Sequence, residues 1–141
     1  MRKIKVAAMG VEHRHIFGQL NGMLNLGCEC VGWWNETDNN ITEDFNKKHP
    51  DIPRFKNKDD LLENKEIELV LIADIPVKRA PLAIECMNAG KDVMLDKPGC
   101  TTIEQLKEIE NTTKKTGKIF SIDFSERFEV PSVQIAYDLI Q

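Results

Sequence analysis

Two apolar periods take turns along this chain. Residues 3–9 (KIKVAAM) make a short run of strand character. Ile16, Phe17, Leu20, Met23 and Leu24 follow at helical spacing, and Gly27 closes that pattern as a helix C-terminus should. Residues 28–34 (CECVGWW) predict a second strand. Asn39 or Asn40 can open a helix that places Ile41 and Phe45 on one face and stops at Pro50. A brief strand is expected near Pro53–Phe55, and a short helix around Leu61 and Leu62. Residues 67–73 (IELVLIA) are apolar almost throughout, the pattern of a parallel strand covered on both faces. A helix is predicted with Pro81 in its first turn, a stripe of Leu82, Ala83, Ile84 and Met87, and Gly90 at its end. Residues 92–95 read as a strand. Thr101 or Thr102, with Glu104 or Gln105, can cap a helix burying Ile103, Leu106 and Ile109 and ending near Gly117. Residues 118–124 make a last strand, and Val133, Ala136, Tyr137 and Ile140 a last helical stripe after Pro131.

Strand and helix thus alternate through about six strands with short connections. The expected fold is α/β: a doubly wound parallel Rossmann sheet with strand order 3-2-1-4-5-6 and right-handed crossovers. With 141 residues, 41% hydrophobic and 30% charged, the chain suits one globular domain. No run of about 18 apolar residues predicts a membrane span. The formal charge of −4 comes without a basic block, which argues against nucleic acid or an anionic membrane as partner. Cys28, Cys30, Cys86 and Cys100 lack zinc or redox spacing and are expected as small buried hydrophobes in a cytoplasmic protein.

Ligands of such sheets bind outside the carboxyl ends of the strands, so the first strand-to-helix turn carries the chemistry. Here it reads Gly10-Val11-Glu12-His13-Arg14-His15. Only Gly10 fits a G-x-G-x-x-G turn; Glu12 and His15 replace the later glycines. A carboxylate repels a pyrophosphate, so either Glu12 turns outward or the loop differs from the dinucleotide turn, and Arg14 can supply compensating charge. His13 and His15 face about 200° apart if helical, and no Cys, Asp or third His lies at a supporting spacing, so no metal site is expected. Asn35, followed by Glu36, stands where an acidic residue would hold the adenosine ribose. No Lys or Arg occurs between Trp33 and Asn46 to hold a 2′-phosphate, which favours NAD over NADP. Trp33 and Trp34 alternate faces and are expected in the core.

Residues 89–98 (AGKDVMLDKP) add a more specific signal. A helix ending in Ala-Gly, a short strand and then acid-Lys-Pro resembles the signature of the glucose–fructose oxidoreductase, inositol dehydrogenase and rhizopine catabolism family (Gfo/Idh/MocA). The usual Glu-Lys-Pro is here Asp96-Lys97-Pro98. Pro76, Arg79 and Ala80-Pro81 after the 67–73 strand, and the 124–128 segment with Arg127, fit the same frame. The resemblance implies a nicotinamide cofactor, NAD by preference or NADP, and a sugar, polyol or related hydroxyl or carbonyl substrate. It places Lys97 at the reacting oxygen, with Asp96 orienting it. The implied cofactor-binding set is Gly10, Glu12, His13, Arg14, His15, Asn35, Glu36, Ala73, Asp74, Pro76, Arg79, Asp96, Lys97 and Pro98. Departures from the family pattern are Glu12, His15, Asn35, and Arg79 where many relatives carry His.

The resemblance also implies a second, substrate-binding domain. Residues 1–124 are expected to form the dinucleotide domain and residues 125–141 the start of a helix leading to a domain beyond this chain. Either that domain or a homo-oligomer would cover the last apolar stripe. The alternative is a non-catalytic NAD(P)- or metabolite-sensing protein of the same fold.

Overall fold

A computed structural model of the chain describes residues 2–125 and 130–140. The described residues form, in order, β1 (Lys5–Val11), α1 (His15–Asn25), β2 (Glu29–Trp34), α2 (Asn40–Lys48), α3 (Lys58–Glu63), β3 (Leu69–Ala73), α4 (Pro76–Asn88), β4 (Asp92–Asp96), α5 (Ile103–Thr116), β5 (Phe120–Asp123) and α6 (Pro131–Ile140). The five strands form one parallel sheet in the order β2-β1-β3-β4-β5. The strand expected at residues 53–55 is reduced to a single parallel bridge between Trp33 and Arg54 beside β2. Pro53 has no N–H to donate, so only Trp33 N to Pro53 O (3.0 Å) and Phe55 N to Trp33 O (2.8 Å) form. With that bridge counted as the outer strand, the order is the 3-2-1-4-5-6 expected from the sequence.

The strands split their side chains between two cores. Ala7 and Met9 of β1 and Val70 and Ile72 of β3 pack with Leu61, Ala83, Met87 and Ile109 on the α3–α4–α5 side. Val6, Ala8, Leu71 and Ala73 pack with Ile16, Leu20 and Phe45 on the α1–α2 side. This strict alternation is what makes the central strands read as continuous apolar runs. Trp33 lies in the second core and Trp34 against the first, on opposite faces as expected. Cys28 and Cys30 flank one core, and all four cysteines are free thiols.

Local signals set the helix ends. The Asn39 side chain accepts from the N–H groups of Ile41 (2.8 Å) and Thr42 (3.0 Å), and the Thr42 hydroxyl accepts from Asn39 N. Two helices depart from expectation. α4 begins at Pro76, which takes the first helical position, so Pro81 lies inside the helix. Pro81 cannot donate to the carbonyl four residues back, Val77 O, which accepts from Gln105 Nε2 at 3.1 Å. α5 buries Ile109 (4% exposed) and Thr112 and leaves Ile103 (61%) and Leu106 (49%) outside the core that the pattern assigned them to.

Candidate active site

The carboxyl ends of β1, β3 and β4 meet at one crevice. Parallel pairing of β1 with β3 brings the first turn against Ala73, whose carbonyl accepts from Glu12 N (3.1 Å) and His13 N (2.8 Å). Gly10 has φ +72°, and a Cβ there would lie 2.6 Å from Asp74 Cβ, so only glycine lets the turn lie this close. Asp74 is buried beneath that turn and accepts from Ile75 N at 2.6 Å. Burial pushes its carboxyl above the usual range, against the opposing Ile75 bond.

From the first turn of α4, Arg79 reaches inward and not toward a ligand. Its Nε donates to Asp74 O (2.6 Å), its Nη1 to Lys97 O and Pro98 O, and its Nη2 to Asp96 Oδ2 (2.8 Å). Expected at the cofactor, Arg79 instead ties the end of β3 to the segment after β4, where the Lys97–Pro98 peptide is cis. Lys97 is half-buried and follows Asp96 directly at the end of β4.

Asp96 is almost fully buried. His13 Nδ1 lies 3.1 Å from its Oδ2 and His15 Nδ1 lies 2.8 Å from its Oδ1. The two imidazole rings meet edge to face, with centroids 4.3 Å apart. Burial lowers the His13 pKa. The Asp96 carboxylate works against this, while His15, Arg79 and Lys97 reinforce it. The first turn thus does not lack a neighbouring Asp. The sheet supplies one 81 positions away from His15, which no local spacing could reveal.

On the β2 side the turn is also tied down. Asn35 Oδ1 accepts from Val11 N (2.6 Å), and Asn35 Nδ2 donates to Glu12 Oε1 (2.6 Å) and Thr37 O (2.7 Å). Glu12 Oε2 accepts from Asn39 Nδ2 at 2.8 Å. Glu12 therefore turns across the end of β2 and not outward, because side-chain amides there satisfy its oxygens. Arg14 pairs with Asp44 of α2 at 2.9 Å, so its charge is spent between helices and not at the turn. Glu36 is paired with Lys78, which holds its carboxyl below the usual range. Arg54 donates to Asn35 O (3.4 Å) and to Asp38. Cations thus do reach the end of β2, from residues 54 and 78.

These residues suit a dinucleotide in three respects. Gly10 makes the tight turn. α1 carries no acidic residue in its first turn, although the N–H groups of His15, Ile16 and Phe17 are already used by His13 Nδ1 (3.4 Å), His13 O (3.2 Å) and Arg14 O (3.2 Å). The amides of Asn35 and Asn39 converge on a pair of oxygens, here those of Glu12, as they would on a ribose diol. The Arg127 part of the expected pattern lies outside the described residues. The sequence reading missed the inward role of Arg79 and the cations Arg54 and Lys78, whose proximity arises only through the fold.

Comparison with known proteins places this geometry. A family model described as an oxidoreductase family with an NAD-binding Rossmann fold matches residues 12–124. A structure from Erwinia carotovora atroseptica, described only provisionally as an oxidoreductase, is 34% identical. It superposes with a TM-score of 0.89 over 99% of this chain and 41% of that one. The myo-inositol 2-dehydrogenase of Lactobacillus plantarum shares the fold, with a TM-score of 0.80 at 20% identity over 99% of this chain and 41% of its own. A glycosyl hydrolase family 109 protein of Shewanella putrefaciens is 28% identical over 119 residues, 82% of this chain and 26% of that protein. The chain thus spans about a quarter of that curated relative and about two fifths of these solved structures. With the family match running from Glu12 in the first turn to Phe124 just past β5, the chain belongs to the Gfo/Idh/MocA oxidoreductase family.

Proposed function

We propose that this chain is the nucleotide-binding part of an NAD-dependent oxidoreductase that moves a hydride between a nicotinamide and a sugar, polyol or related hydroxyl or carbonyl substrate. The observation that carries the reading is the Asp96-Lys97-Pro98 segment at the carboxyl end of β4, facing the crevice of a family member. The nicotinamide supplies hydride acceptance or donation. The chain's own part is to position it and to manage charge. Removing hydride from a secondary alcohol requires its hydroxyl proton to leave. The Lys97 ammonium at that oxygen stabilises the developing negative charge and can relay the proton. Arg79 holds the Lys97 carbonyl and so fixes the backbone from which that side chain projects.

Glu36 at the end of β2 is the acid that would meet the ribose hydroxyls and supports NAD, although Lys78 pairs with it and Arg54 reaches the same strand end. Residues 1–124 form the dinucleotide domain in this reading, and residues 125–141 begin the connection to a substrate domain. The apolar residues Val133, Ile135, Tyr137 and Leu139 of α6, all exposed, support that continuation. Four free thiols fit a reducing cytoplasm. Among the described residues no helix is long and apolar enough to cross a membrane. The oxidoreductase matches lend the sensing alternative no support.

Fluorescence titration with NADH and with NADPH tests the reading. NADH is expected to bind more tightly, with little turnover by this chain alone. Tighter NADPH binding overturns the NAD preference, and no binding of either up to millimolar concentration overturns the proposal.

A further inference from the structure

The pair His13 and His15 gains a third member through the fold. One ring nitrogen of each and a carboxylate oxygen of Asp96 all lie within 4.8 Å of one another. We propose that His13, His15 and Asp96 form a binding site for a divalent transition cation of the zinc class. This proposal does not rest on the oxidoreductase reading.

Three features carry it. The donor set is two imidazoles and one carboxylate, the mixed nitrogen–oxygen set that suits zinc, iron and cobalt ions and not calcium or magnesium. Asp96 is held from behind: its Oδ2 accepts from the buried Arg79, which orients the carboxylate as the outer partners of metal ligands do. The imidazoles are about half-exposed and can adjust, whereas the carboxylate is fixed. Metal–ligand bonds of about 2.0–2.2 Å put neighbouring donors roughly 3.0–3.5 Å apart. The separations of 2.8 Å from His15 Nδ1 to Oδ1 and 3.1 Å from His13 Nδ1 to Oδ2 run to the two oxygens of one carboxylate, so each ring already stands close to donor spacing from the oxygen it faces.

The His13 Nδ1 accepts from His15 N at 3.4 Å, so this nitrogen presents a lone pair and the neutral ring holds its proton on Nε2. The His15 ring, with Nδ1 2.8 Å from Asp96 Oδ1, needs only the same tautomer to coordinate, so binding requires no net loss of protons from the neutral rings. The positive charges facing the site are Arg79, already paired with Asp96, and Lys97. Three protein ligands leave at least one position for water or a substrate oxygen, the pattern of a catalytic and not a closed structural site.

The test uses the full chain, stripped with a chelator and dialysed. Cobalt(II) is titrated and followed by visible absorption, with zinc(II) in parallel by calorimetry. One equivalent is expected to bind, with a cobalt spectrum that zinc abolishes. His13→Gln and His15→Gln each should weaken binding at least tenfold with an unchanged circular dichroism spectrum. His49→Gln alters the only other histidine of the chain and should leave binding unchanged. Absence of stoichiometric binding by the folded wild-type chain, or binding that survives both exposed-histidine substitutions, overturns the proposal.

Discussion

Arg79 and Asp96 form a buried ion pair, each side chain only 2% exposed, with Nη2 and Oδ2 2.8 Å apart. The pair joins the first turn of α4 to the end of β4, and the remaining Arg79 nitrogens satisfy three backbone carbonyls. Replacing Arg79 by Met leaves the carboxylate without its cation and those carbonyls without a donor. Arg79→Met is expected to cost about 3–5 kcal/mol. Urea unfolding checks this, and an unchanged midpoint counts against it.

Gly10 and Gly27 both sit at positive φ, yet they should respond differently to the same change. A methyl at Gly27 meets nothing within 4 Å, whereas at Gly10 it lands on Asp74. Gly27→Ala is expected to cost about 1 kcal/mol for conformation alone. Gly10→Ala should cost at least about 2 kcal/mol once the steric term is added. Equal shifts of the unfolding midpoint would contradict the close approach at the turn.

Asp74 makes stability pH-dependent with a defined sign. Its folded-state pKa is raised above the ordinary 3.8, first by burial and with help from Glu12 and Glu36. The folded state therefore holds the proton more tightly, and stability from this group falls as pH rises from near 4 through the raised value. Asp74→Asn is expected to have the higher Tm at pH 7, with the advantage shrinking as pH falls toward 4. Thermal unfolding across that range decides it; a less stable variant at pH 7 would refute the sign.

Glu12 uses the amides of Asn35 and Asn39 and places a negative charge at the turn. Glu12→Ala should free both donors and strengthen NADH binding by about tenfold, equivalent to ~1.4 kcal/mol. Weaker binding in a fluorescence titration would show that the carboxylate assists the cofactor.

In the longer oxidoreductase proposed above, Lys97→Ala should lower kcat by about 10²–10⁴. NADH affinity should change far less. Steady-state kinetics with the matching titration separate the two, and unchanged kcat removes Lys97 from the chemistry.

The sheet was legible because each central strand buries both faces, so residues 67–73 could hardly be anything else. The Asn39 cap was legible because its partner Thr42 lies three residues on. α5 was misread where Ile103 and Leu106 look like a buried stripe, because the face the helix buries depends on how it docks on α4, which local spacing does not carry. The crevice was legible only in part. Gly10 follows from local pattern and Lys97 was singled out only through the family resemblance, but Asp96 beside His15, Lys78 beside Glu36 and Arg14 turned to Asp44 are made by strand order and helix docking. Spacing along one segment carries no information about a partner tens of residues away.

The adjacent tryptophans on opposite sheet faces equip the chain with a separate optical probe for each layer. Trp33 sits beside Phe45, with ring centroids 5.3 Å apart, in the α1–α2 layer, and Trp34 packs on the α3–α4–α5 layer. Single-tryptophan forms, Trp33→Phe and Trp34→Phe, would therefore report whether the two layers melt together or in succession.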